Sequence, residues 1–100
     1  PYTAYNPVRK AWMQGQSVFD EAVFQGLGPV RVDARDWLVE KASFKRTLFD
    51  TMDLSGGTYA SCCFDGARFP NTDLKNLTFL DTFYNHKAEK MQESKPCTFK

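Results

Sequence analysis

A five-residue period between Ser17 and Asp81 constrains this chain more than any other feature. Stepping in fives from Phe44 meets Phe49, Leu54, Tyr59, Phe64, Phe69, Leu74 and Phe79. Two residues before each stands a mostly small or apolar residue: Ala42, Thr47, Met52, Gly57, Cys62, Ala67, Thr72 and Leu77. The residues between are mostly Asp, Lys, Arg, Ser, Gly and Asn. Side chains recur about every 3.6 residues on a helix and every two on a strand, so neither element has this period. It is a structural repeat, in which each unit buries its apolar face against its neighbours.

The repeat begins before the obvious phenylalanines. Cut into fives from Ser17, the third position continues backwards through Val39, Ala34, Pro29, Phe24 and Phe19. In the degenerate middle, residues 27–41, every first and third position is still apolar. The charges there (Arg31, Asp33, Arg35, Asp36, Glu40, Lys41) fall on the other three. A competing reading makes residues 30–36 an ordinary half-buried strand, with Val30, Val32 and Ala34 alternating with charges. Both readings place Val32 and Ala34 inside, but only the repeat accounts for Trp37 and Val39.

The units MDLSG, CCFDG, ARFPN and TDLKN fit the motif A-(D/N)-L-x-x with Leu or Phe at the centre. On these units the chain resembles the pentapeptide-repeat family; LGPVR and WLVEK depart from the motif. The resemblance covers about two thirds of the chain. It implies an all-β fold, a right-handed quadrilateral β-helix of about three coils with four units to the coil. Residues 17–84 would form the β-helix, residues 1–16 an N-terminal arm or cap, and residues 85–100 a short C-terminal helix or tail. Central residues and those two before them would point inward.

Four fives make twenty, so side chains twenty residues apart are expected to stack at about the 4.8 Å spacing of paired strands. The columns then read Phe24–Phe44–Phe64, Pro29–Phe49–Phe69, Ala34–Leu54–Leu74 and Phe19–Val39–Tyr59–Phe79. Trp37, oversized for a small slot, shares its column with Ser17 and Gly57, large against small as close packing requires. Gly26, Gly56, Gly66, Asn71 and Asn76 occupy fifth positions, where a tight corner calls for φ above zero. After Asp81 the pattern fades. Residues 85–95 are polar and rich in helix formers, with Tyr84, Ala88 and Met91 as the only apolar face and Pro96 as a stop.

Candidate chemistry is sparse. His86 is the only histidine and lies in the polar tail, so no nucleophile has a well-placed base. Cys62 and Cys63 are adjacent, a spacing that cannot clasp a tetrahedral zinc, and no second pair exists. Cys62 fills an inward slot; Cys63 faces outward and could meet Cys97 if the tail folds back. The chain is therefore expected to be non-enzymatic, without metal or cofactor. A formal net charge of +1 does not mark a nucleic-acid binder. No apolar run reaches the roughly 18 residues of a membrane span.

The expected function is a structural or interaction module, a protein-binding subunit of a larger assembly. A membrane complex is one such assembly, with this chain not itself spanning the bilayer. Three coils leave much of the core at two open ends that must be capped or docked. The flanks hold the candidate partner-binding residues Trp12, Met13, Tyr84 and Met91. They carry six basic against two acidic residues, while residues 17–81 carry seven against ten. The alternative comes from the resemblance: some pentapeptide-repeat proteins mimic DNA and bind type II topoisomerases. A net charge of −3 over about three coils is low for a copy of duplex DNA.

Overall fold

A computed structural model describes residues 4–6, 11–13, 18–27, 29–85 and 87–100, with residues 4–6 and 11–13 described in their backbone. Among these the chain is all-β and contains no helix. The strands are short because the chain turns at every fifth residue. Each fifth position from Asp36 to Asn76 is left-handed, with φ between 49° at Asn71 and 74° at Gly56. Asp33, Asp53 and Asp73 help to set three of these corners. Each Oδ1 accepts the N–H two residues on, from Arg35, Ser55 and Lys75, at 3.1, 3.0 and 2.9 Å. Gly26 is the exception among the expected corners, since its φ is not positive. A Cβ there would collide with the Thr51 carbonyl, so Gly26 is needed for close approach.

The strands are β1 (Ala4–Asn6), β2 (Ala11–Met13), β3 (Val23–Gln25), β4 (Val32–Asp33), β5 (Leu38–Glu40) and β6 (Leu48–Asp50). They continue as β7 (Met52–Asp53), β8 (Thr58–Ala60), β9 (Thr78–Leu80), β10 (Thr82–Asn85) and β11 (Lys90–Glu93). They lie in several small sheets that do not close into a barrel. Four parallel ladders recur. One joins Val39, Tyr59 and Phe79 through β5, β8 and β9. A second joins Asp33 and Asp53 through β4 and β7 and continues to Asp73. A third pairs β3 with β6 and reaches Arg68; the last links Val18, Ser43, Cys63 and Thr98 by single bridges. On the first ladder β1 adds antiparallel to β5 and carries β2 beside it, so residues 4–6 and 11–13 extend this sheet.

Every first and third position from Ala42 to Phe64 is buried. The third positions form two files of rings. Phe19, Phe44, Phe64 and Phe99 stack at 5.2, 5.1 and 5.2 Å, nearly parallel; Phe24, Phe49 and Phe69 stack at 5.5 and 5.0 Å. Stacked rings of this kind contribute about 0.5–1.5 kcal/mol per pair beyond their buried area. First positions carry a second device. Thr47 and Thr72 donate their hydroxyls to the carbonyls of Phe19 and Phe49 at 2.8 and 2.6 Å, which satisfies both groups without water. The thiols of Cys62 and Cys97 lie in the same relation to the carbonyls of Val39 and Tyr59, at 3.7 and 3.2 Å.

The expected columns hold wherever the spacing stays at twenty, and two excursions change them. Phe24 stacks on Phe49, not Phe44, and Phe19 stacks on Phe44, not Val39. The reason is that Leu27 and residues 29–31 leave the ladder path. Leu27, a first-position residue whose apolarity is in phase with the repeat, is 88% exposed, and Val30, at a fourth position, is 74% exposed. Pro29 accordingly does not cover Phe49. Trp37 and Gly57 do lead side by side into the neighbouring strands β5 and β8, with the Thr58 N–H bonded to the Trp37 carbonyl at 2.7 Å. The small residue at 57 is nevertheless demanded by Tyr59, whose ring would stand 2.8 Å from an added Cβ. Ser17 is outside the described residues.

The second excursion corrects the expected C-terminal helix. Residues 82–85 and 90–93 pair as an antiparallel hairpin, with Tyr84 opposite Met91. Its turn is organised by Asn85, whose Oδ1 accepts the N–H groups of Lys87 and Ala88, both at 3.0 Å. Strand pairing here overrides the helix propensity of Ala88, Glu89, Lys90 and Met91. The chain then returns at Cys97, so residues 97–100 are neither helix nor loose tail. They lie in register on residues 62–66, with Phe64 N–H donating to the Thr98 carbonyl at 2.8 Å.

Deleting residues 27–31 should leave a folded protein whose melting temperature stays within about 4 °C of the parent, a change of roughly 1 kcal/mol or less. Deleting residues 47–51, a unit of equal length inside the ladders, should abolish the cooperative melt. Thermal circular dichroism of the two deletions distinguishes an excursion from a repeat unit.

Candidate functional site

The two ends of the ring files differ. At the N-terminal end Phe19, Phe24, Ala34, Trp37 and Val39 enclose a small apolar cavity of about 90 Å³. At the C-terminal end Phe64, Phe69, Leu74, Leu77, Phe79 and Phe99 line an open hollow of about 470 Å³, with Asn76 at its edge. Phe44 and Phe64 are 6% and 4% exposed, whereas Leu74, Phe79 and Phe99 rise to 41%, 42% and 55%. Burial of a large apolar side chain is worth roughly 1.5–3 kcal/mol when complete. The uncovered fraction of these three remains available to an apolar surface. Beside them β9 is the terminal strand of its sheet, with a neighbour on one side. An apolar hollow next to a strand edge can accept another strand and its side chains.

The hairpin forms a different surface. Glu40 and Ala60 occupy outward positions, yet they are 4% and 6% exposed. Phe83, Tyr84 and Met91 lie across them and, with Leu38 and Leu80, bound a cavity of about 180 Å³. Glu40 Oε2 accepts the Tyr84 N–H at 3.2 Å, and Lys41 Nζ sits 3.6 Å above the Phe83 ring. The hairpin thus folds back over the outside of the first ladder. Of the residues expected to meet a partner, Tyr84 is half-buried there and Met91 is 55% exposed. Trp12 and Met13 belong to β2, opposite Tyr5 and Ala4; their side chains are outside the described residues.

The C-terminal segment is held by Asp65. Its carboxylate accepts the Lys100 N–H at 3.0 Å, and this bond, followed by one from the Thr98 side chain, holds its pKa below the ordinary carboxylate value. Asp20 is lowered likewise, chiefly by the Ser43 hydroxyl at 2.6 Å; Asp33 is lowered by Arg35 and Asp53 by Ser55. The stacked carboxylates Asp33, Asp53 and Asp73 therefore serve the corners. No group of three His, Cys, Asp or Glu side chains among the described residues is placed to hold a metal ion. No described helix is long and apolar enough to cross a membrane.

Leu74, Phe79 and Phe99 emerge as site residues only from the fold. The first two fit the repeat and give no sequence signal of being at an end. Phe99 does give one, since Cys97 and Phe99 reproduce the first and third positions of Cys62 and Phe64. Comparison with family models, with curated proteins and with solved structures finds no match.

A folded pKa below the ordinary value means that Asp65 holds the C-terminal segment fully at pH above that value. The contribution disappears as pH falls through the lowered folded pKa. Hydrogen-exchange protection at the amides of Phe64 and Gly66, which donate to Thr98 and Lys100, should accordingly fall in acid, below about pH 4. In Asp65→Ala, which removes the acceptor, it should already be reduced at pH 6. Unchanged protection in that variant would mean that the carboxylate does not seat the segment.

Proposed function

We propose that this chain is a pentapeptide-repeat protein whose four ladders are the faces of a right-handed quadrilateral β-helix. We further propose that it works as a non-catalytic, protein-binding subunit of a larger assembly. The observation that carries the functional reading is the contrast between a sealed middle and an open end, Phe64 at 4% against Phe79 at 42% and Phe99 at 55% exposure. The partner would be a protein that lays an apolar segment over Leu74, Phe79 and Phe99 and pairs with the edge of β9. The flanking strands, with Trp12, Met13, Tyr84 and Met91, would frame the assembly. This places the centre of the interface at the coil end and gives the flanks a lesser part.

The alternative, a DNA mimic that binds a topoisomerase, would rely on the acidic column of Asp33, Asp53 and Asp73. Each carboxylate there already accepts a corner N–H, and Arg35 Nε lies 3.0 Å from Asp33. The two readings predict opposite outcomes. In pull-downs from the source cells, Leu74→Glu with Phe79→Glu should remove the specific partner, provided the variant keeps its cooperative melt. Asp33→Asn, Asp53→Asn and Asp73→Asn together keep the corner acceptors while removing three charges, and should leave binding intact. Loss of the partner in the Asn variant but not in the Glu variant would favour the DNA mimic.

A further inference from the structure

Residues 97–100 return from the hairpin and settle on residues 62–66, which places Cys97 beside Cys62 on neighbouring parallel strands. The registration is fixed by three backbone bonds: Thr98 N–H to the Cys62 carbonyl at 3.1 Å, Phe64 N–H to Thr98 at 2.8 Å and Gly66 N–H to Lys100 at 2.8 Å. Paired strands lie about 4.8 Å apart, within the roughly 4.4–6.8 Å between Cα atoms that a disulfide spans. The Cys62 N–H donates to Cys97 Sγ at 3.3 Å. Both are free thiols. Cys63, on the outward side, is bridged to Thr98 and is not the neighbour of Cys97.

We propose that Cys62 and Cys97 are a redox-active dithiol whose disulfide clamps the C-terminal strand onto the unit beneath it. The two sulfurs have different environments. Cys62 is 1% exposed, and its bond to Cys97, together with burial, raises its pKa. Cys97 is half-buried, and the neighbouring Cys62 side chain and the Cys62 N–H lower its pKa. Cys97, the more exposed sulfur and the one that accepts the Cys62 N–H, is the attacking sulfur, and the buried Cys62 is the resolving one. With hydrogen peroxide as oxidant, the Cys97 thiolate attacks one peroxide oxygen and the O–O bond breaks. Sulfenic acid forms on Cys97, and the departing hydroxide takes up a proton as water. The Cys62 sulfur then attacks the Cys97 sulfur, the S–O bond breaks, and the Cys62 proton leaves with it as a second water. Two electrons pass from the dithiol to the peroxide.

The bond would hold Phe99 over Phe64 and keep the hairpin tethered at both ends. This pairing stands on the ladder register and does not depend on the docking reading. The test uses the full chain, reduced and then treated with stoichiometric hydrogen peroxide, followed by non-reducing peptide mapping and a thermal melt. The expected result is one cross-link, retained in Cys63→Ser, with a melting temperature at least about 4 °C above that of the reduced protein. Cys62→Ala, which places at 62 the residue found at the equivalent positions 42 and 67, should fold but lose both the cross-link and the shift. Cys97→Ser should do the same. A cross-link that survives Cys62→Ala or vanishes in Cys63→Ser would overturn the proposal. So would oxidation of Cys97 to sulfinic acid in the parent chain without any cross-link.

Discussion

The left-handed corner at every fifth residue from Asp36 to Asn76 is the constraint on which the rest of this structure depends. An L-residue in that region costs roughly 1–2 kcal/mol, and only Gly56 and Gly66 among the nine corners from Asp36 to Asn76 avoid the penalty. Thr51 is the extreme case, a β-branched residue at φ 56°. It is stabilised locally: its hydroxyl donates to Asp50 Oδ1 at 2.9 Å and accepts from Asn71 Nδ2 at 3.3 Å. Such corners persist because the strands on both sides are paired and the intervening side chains are buried, so the backbone has no cheaper course. The corners in turn bring Phe44 beneath Phe64 and Phe49 beneath Phe69.

Two excursions interrupt this scheme without breaking it. Residues 27–31 and the hairpin segment leave the ladders and return in phase, and each is accommodated on the outside. The first leaves Leu27 and Val30 exposed, while the second covers Glu40 and Ala60. What the hairpin cannot do is close the C-terminal end, because it folds along the side of the first ladder. Residues 97–100 supply a last partial layer there. Phe99 stacks on Phe64 and meets Phe79 edge-on at 4.9 Å, yet it stays more than half exposed. The open end and the paired thiols thus arise from the same short segment.

Much of the interior was legible in the sequence because inward and outward positions differ sharply in polarity. Phe44, Phe49, Leu54, Tyr59 and Phe64 are buried where the period puts them. The first turn was not legible. Leu27 and Pro29 keep the apolar phase, so nothing in the pattern marks their unit as an excursion, and the error moves Phe24 by a full unit. The C-terminal region misled for a different reason. Local helix propensity in residues 85–95 is weaker than hairpin pairing and the cover that Leu38, Ala60 and Leu80 offer to Phe83 and Tyr84. The candidate site was harder still, since a partner-facing Leu74 or Phe79 has the same sequence signature as a buried one. Only the place where the ladders stop tells them apart.

The central claim is the register, twenty residues between layers except where residues 27–31 make it twenty-five and the hairpin segment makes it thirty-five. Cross-strand backbone NOEs in the uniformly labelled protein test it most directly. The account predicts contacts of residues 23–25 with 48–50, of residues 38–40 with 58–60, and of residues 62–64 with 97–99. Contacts of residues 23–25 with 43–45 in place of 48–50, or the absence of any contacts at a spacing of twenty, would contradict it.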